Sequence, residues 1–184
     1  MIKRIFRTLL IFIGLLLVSA MFMPSNFKVE RSLLVDASES DLYQQVANFE
    51  NWDNWEPWMK MDPDAEFKTT GTGIGALREW ESEIIGKGSM ELIELEENQK
   101  VGATLTFYDP NPMASYSYWN FEKQGNKTFV TMGCSGDLDY PLGRIFGLLV
   151  SFEDAMAPDF EKALIGIREA AYSIPSTKMD TDSL

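Results

Sequence analysis

From Phe67 to Leu138 the chain falls into short runs of alternating apolar and polar residues, broken at Gly71-Thr72-Gly73, Gly86-Lys87-Gly88, Glu97-Asn98 and Gly125-Asn126. Successive side chains of a strand point to opposite faces, so a period of two marks a sheet with one buried side. Glycine and asparagine at the breaks mark turns. The runs near Ala76–Ile84, Ser89–Glu96, Lys100–Tyr108, Ser115–Lys123 and Thr128–Leu138 read as antiparallel strands. Val101, Ala103, Leu105 and Phe107 fall on one face, opposite Gly102, Thr104 and Thr106. Trp119 and Phe121 oppose Tyr118, Asn120 and Glu122, while Val130, Met132 and Cys134 oppose Thr131, Gly133 and Ser135. One side of the sheet is therefore apolar and must be covered.

The C-terminal segment supplies the predicted cover. Ile145, Leu149, Phe152, Met156, Phe160, Leu164 and Ile167 recur at the spacing of one long amphipathic helix, which Pro158 is expected to kink or divide. Upstream, Phe27 to Val35 reads as a first strand. Ser38, with Asp41 three residues on, reads as the cap of a helix running to about Asn48, and a second short helix is expected over Asn51 to Trp55. Strand, helices, antiparallel meander and a long C-terminal helix together predict an α+β fold.

Ahead of that domain, Leu9 to Met23 is uncharged and almost wholly apolar, with Lys3, Arg4 and Arg7 before it. Counted from Ile5 to Met23 the run reaches spanning length, and basic residues on its N-terminal side favour a cytoplasmic N-terminus. A cleavable secretory signal ending at Val18-Ser19-Ala20 is the alternative. Because Met21-Phe22-Met23 keeps the segment apolar past that point, an uncleaved transmembrane anchor is the expectation. The predicted organisation is thus an anchor over 1–24, a domain over 25–173 on the extracytoplasmic side, and a disordered tail over 174–184. If the segment were cut, the domain would be secreted.

With 16 basic and 28 acidic residues, the chain carries a formal charge of −12. That charge disfavours nucleic acid as a partner. The single cysteine, Cys134, excludes an intramolecular disulfide and reads as a small core residue. No histidine is present. This removes Ser-His-Asp and Cys-His nucleophilic systems and the common zinc sites, so neither a metal nor another cofactor is expected. Carboxylate chemistry remains, with Glu79, Glu81, Glu91 or Asp137 as general acid or base if burial raised its pKa; a solvated strand face is their simpler reading. Gly71-Thr72-Gly73-Ile74-Gly75 precedes a strand pattern and lacks the Lys-Ser/Thr of a phosphate loop, so it reads as a turn. Asp62-Pro63-Asp64 and Asp137-Leu138-Asp139 offer too few oxygens for calcium and also read as turns. Trp52, Trp55 and Trp58, with Met59 and Met61, suit core packing, the wall of an adaptable apolar pocket, or contact with a bilayer surface.

Phe27-Lys28-Val29-Glu30-Arg31-Ser32, Trp52-Asp53-Asn54-Trp55-Glu56-Pro57-Trp58, Gly86-Lys87-Gly88, Thr128-Phe129-Val130-Thr131 with Ser135-Gly136, and Asp159-Phe160-Glu161-Lys162-Ala163-Leu164 occur in that order. Together they resemble the polyketide cyclase/dehydratase-like branch of the SRPBCC (START-like) superfamily, over about Phe27 to Ala171. The resemblance implies a helix-grip fold, in which a curved antiparallel sheet wraps the C-terminal helix and encloses an apolar cavity. Similar proteins often carry tryptophan where this chain has Met132. No catalytic residue of the family can be matched here.

The function expected on this basis is binding of a hydrophobic small molecule or lipid by a membrane-tethered domain, without catalysis. The alternatives are a cyclase- or dehydratase-like enzyme using carboxylates, and an interaction scaffold whose core is filled. The expected ligand-binding residues are Trp58, Trp80, Met90, Leu105, Phe107, Trp119, Met132, Phe152 and Met156.

Overall fold

The computed structural model describes residues 1–109 and 112–173; the tail expected over 174–184 lies outside them. The alternating runs form β2 (Glu66–Thr70), β3 (Leu77–Ser82), β4 (Gly86–Glu96), β5 (Lys100–Asp109), β6 (Met113–Gln124) and β7 (Lys127–Asp137), and β1 is Asn26–Val35. They make one seven-stranded antiparallel sheet in the order β1-β7-β6-β5-β4-β3-β2. The first strand closes against the last, from Asn26 opposite Asp137 to Val35 opposite Thr128. Register shifts fall within β4, between Lys87 and Gly88 and between Leu92 and Glu94, where such irregularities bend a strand and increase its twist.

The turn residues behave as their chemistry requires at Asn98 and Gly125, which take φ of 58° and 67°. Gly86-Lys87-Gly88 is different from expectation, since it opens β4 and the turn itself lies over residues 83–85. Gly88 serves packing instead. A Cβ there would come within 2.9 Å of the Trp80 ring, so the strand needs a residue without a side chain where the indole crosses it.

Between β1 and β2 lie α2 (Glu39–Ala47), a 3-10 turn over Phe49–Asn54 and α3 (Trp58–Met61). Ser38 caps α2 as predicted, its Oγ accepting from the Asp41 amide at 3.1 Å. Leu42 and Val46 of α2, together with Phe49 and Trp52, are buried against the inner face of the sheet.

The C-terminal cover divides, but at a different place from the one expected. It consists of α4 (Leu142–Leu149) and α5 (Phe152–Ser173), separated at Val150, which is extended, and Ser151, whose Oγ accepts from the Asp154 amide at 3.1 Å and caps the new helix. Pro158 lies within α5 and does not break it. It is exposed, as is Asp154, whose carbonyl loses its partner to the proline, so water can take over that bond. Leu149 is 81% exposed on α4; the covering stripe therefore begins at Phe152. Arg31 of β1 holds α5 in place through Glu153 at 2.5 Å and Glu161 at 3.0 Å.

The N-terminal helix, α1, spans Ile2–Ala20. No helix among the described residues is long and apolar enough to cross a membrane, which overturns the expected single-pass anchor and, with it, the cytoplasmic N-terminus and extracytoplasmic domain. The apolar count from Ile5 to Met23 failed at both ends. Lys3, Arg4 and Arg7 lie inside the helix, and Met21 onward lies beyond it. What remains uncharged, Thr8 to Ala20, is about 20 Å long against a hydrocarbon core of about 30 Å. The end of α1 meets the segment around α4, where Tyr140 Oη donates to the Leu17 carbonyl at 3.0 Å and Arg144 to those of Ala20 and Met21 at 3.4 Å.

Candidate ligand cavity

The sheet and α5 do not close completely on one another. Between the inner faces of β2 to β7, the Trp52–Phe67 segment and the first turns of α5 lies a cavity of about 290 Å³, close to the lower end of the roughly 300–1,000 Å³ that small-molecule sites occupy. Of the residues expected to bind ligand, the structure brings Trp58, Trp80, Met90, Leu105, Phe107, Met132 and Met156 to its wall. The alternation positions those on strands, and the helical repeat positions Met156. Trp80 and Phe107 meet edge to face at 5.7 Å across neighbouring strands.

Trp119 and Phe152 are placed elsewhere. Trp119 is fully buried and packs against Trp52 at 5.4 Å. Phe152 stacks on Phe27 of β1 at 4.1 Å, near the start of α5. Both lie on the predicted face, but face alone does not give depth along the strand or helix.

The cavity wall also holds groups that periodicity did not single out. Arg78, on the same face of β3 as Trp80, is only 5% exposed. Its guanidinium donates to Glu56, to Asp53 at 2.7 Å and to Thr69 Oγ1 at 3.0 Å, and lies over the Phe67 ring at 4.9 Å. Glu56 is 4% exposed. Burial pushes its carboxyl above the usual carboxylate range, while Arg78 draws it back. The signal for Glu56 was present in the sequence, a carboxylate enclosed by Trp55, Pro57 and Trp58. Asp159 of α5 also lines the cavity and is paired with Lys162 at 2.9 Å.

The four carboxylates considered for acid–base work are not on this wall. Glu79 and Glu81 alternate with Arg78 and Trp80 and so face the other side of β3; Glu81 pairs with Lys87 at 2.7 Å. Glu91 and Asp137 are exposed. Asp62 has a structural task, accepting from Ser82 Oγ at 2.5 Å and thereby fastening the end of α3 to the β3–β4 turn. Those contacts hold its carboxyl below the usual range. Gly71, Gly73 and Gly75 all take positive φ in the β2–β3 connection, a turn as read.

Comparisons with known proteins bear on the fold. No family model matches the chain, and no curated protein matches it either. Solved structures do. A truncated norcoclaurine synthase from Thalictrum flavum superposes with a TM-score of 0.60 at 11% identity, over 82% of this chain and 96% of its own. A protein of Chromobacterium violaceum gives 0.57 at 13%, over 81% and 98%. The Aha1 dimer from Colwellia psychrerythraea gives 0.54 at 17%, over 83% and 98%. What they share with this chain, at such identities, is the helix-grip fold.

Proposed function

We propose that this domain binds a hydrophobic small molecule or lipid in the cavity between its sheet and α5, without catalysis. The observation that carries the reading is an unfilled space of about 290 Å³ walled by indole, phenyl and thioether groups in an otherwise tightly packed core. Protein interiors ordinarily leave few voids larger than a water molecule. A cleft of this size with mostly apolar walls and a few polar groups is the usual form of a small-molecule site. A norcoclaurine synthase variant of the same fold is described in complex with a transition-state analogue, which supports the capacity of the fold to hold a small molecule.

Glu56 favours a second reading, a cyclase- or dehydratase-like enzyme, because it supplies a buried carboxyl at the cavity. Its contact with Arg78 fixes it to the wall, and Asp159 is the only other carboxylate among the lining residues. Binding is therefore the primary reading.

The test is uptake of diphenylhexatriene, a neutral probe that fluoresces in apolar surroundings, by the purified full chain. Saturable uptake near one probe per chain, lost in Met132→Trp with little change in melting temperature, is the expected result. No uptake by the parent chain would count against ligand binding and favour the scaffold alternative.

A further inference from the structure

The outward side of α1 is apolar and uncovered. The least exposed residues of its apolar stretch, Ile13, Leu16, Leu17 and Ala20, recur at the spacing of one helical face, and the domain holds that end of the helix through Tyr140 and Arg144. The opposite face carries Ile11, Leu15 and Val18, and Phe22, 86% exposed, follows just past the helix end. Toward the N-terminus the same face is taken up by Arg7 and Arg4, four and seven residues before Ile11. The two hydroxyls of the helix are satisfied inside it, Thr8 Oγ1 donating to the Arg4 carbonyl at 3.0 Å and Ser19 Oγ to that of Leu16 at 2.8 Å. One side of α1 is thus cationic over its first two turns and wholly apolar beyond them.

The chemistry of this face selects its occupant. Lys3, Arg4 and Arg7 enter no ion pair among the described residues, and the first acidic residue of the chain is Glu30. These cations are therefore open to phosphate groups, while the acidic residues that follow repel an anionic surface from the rest of the chain. Leu9, Leu10 and Phe12, on the flanks of the helix, are also more than half exposed. A groove in a protein covers one face of a helix, whereas acyl chains close round its flanks as well. Arginine on the face that also carries the apolar stripe suits the boundary between headgroups and acyl chains, because its long stem lets the guanidinium stay among the phosphates. We propose that α1 lies along the surface of an anionic bilayer without crossing it, with Arg4 and Arg7 among the headgroups and Ile11, Leu15, Val18 and Phe22 in the acyl chains of one leaflet. This contact is independent of what the cavity holds.

The test is flotation of the detergent-free full chain with vesicles of phosphatidylcholine, alone or with added phosphatidylglycerol. The chain should float with the anionic vesicles, far less with the neutral ones, and less with either as salt screens the anionic surface. Replacing Arg4→Gln and Arg7→Gln together should weaken binding to anionic vesicles about 25-fold, since each cation near such a surface contributes roughly fivefold, and Arg4→Lys with Arg7→Lys should restore it. Leu15→Gln should weaken it about tenfold through lost apolar burial. Melting temperatures equal to the parent's in all three variants separate loss of docking from loss of fold. Depth supplies a second readout. The added fluorescence of Ile11→Trp should be quenched more by lipids brominated near the headgroup than by lipids brominated near the chain end. Stronger quenching from the chain end would place the helix through the bilayer centre and overturn the proposal. Equal flotation with neutral and anionic vesicles, or none with either, would overturn it too, and a chain that stays off the vesicles and sediments as a dimer would assign the face to a second copy instead.

Discussion

Tyr118 and Glu30 stand two strands apart and yet are hydrogen-bonded, because the strand between them presents Gly133. Tyr118 on β6, Gly133 on β7 and Glu30 on β1 share one register row. With no side chain at Gly133, the phenol ring lies flat across β7; a Cβ there would stand 2.8 Å from ring carbon Cε1. Tyr116 does the same on the opposite side, reaching over Gly102 to Glu94 at 2.5 Å. Gly133→Ala should therefore displace the Tyr118 ring, break its bond to Glu30 and destabilise the domain by about 1–3 kcal/mol. Urea unfolding measures the loss, and probe uptake should not change, since the lesion lies on the outer face. Wild-type stability in the alanine variant would contradict this account of the glycine.

The same pair predicts an alkaline transition. Burial, reinforced by the Glu30 carboxylate, pushes the Tyr118 hydroxyl up to about 12. In the unfolded chain a tyrosine titrates near ~10. The neutral phenol is favoured in the fold, so its stabilising contribution is complete below ~10 and is lost as pH rises through about 12. Tyrosinate absorbance should show a late-titrating group that Tyr118→Phe removes.

Arg78 and Glu56 should respond asymmetrically to truncation. Arg78→Met strands a buried carboxylate and should cost about 3–5 kcal/mol at neutral pH. Glu56→Gln keeps an acceptor for the guanidinium and should cost less. Burial raises the folded-state pKa of Glu56, so its neutral form is favoured at low pH and the penalty of charging it grows as pH rises. The deficit of Arg78→Met should shrink toward pH 4, read by denaturant melts across pH; a deficit constant with pH would refute it.

Core and wall residues should separate by their penalties. Trp119→Ala removes a fully buried indole from solid packing and should cost about 3–5 kcal/mol. Met156→Ala enlarges a space already present and should fall below that range while weakening diphenylhexatriene uptake. Melting temperature and uptake, measured together on both variants, decide the assignment.

The strands were legible because their burial alternates with a period of two, and the Ser38 cap because its chemistry is local. Pro158 misled because exposed proline in an early turn removes a single bond, whereas the actual break at Val150-Ser151 carries only an extended residue and a serine. The membrane segment misled because hydropathy counts residues and does not fix where a helix ends. At the site, periodicity assigned Leu105 and Met132 to the covered face, as it did Trp119. Depth along the strand decides which of them border empty space, and that depends on how α5 and the Trp52–Phe67 segment settle together. Arg78 was invisible to pattern because it is a charged residue at an inward position, identified only by its partners from distant parts of the chain.

The tyrosine row on the outer face has a mechanical consequence. Glu94, Gly102, Tyr118, Gly133 and Glu30 form one line across β4, β5, β6, β7 and β1, and the two phenols fasten that line from outside. Like the hoop of a barrel, these ties keep the sheet bent without leaning on whatever lies within. The sheet is consequently shaped in advance, and a molecule taken up as proposed would not have to bend it.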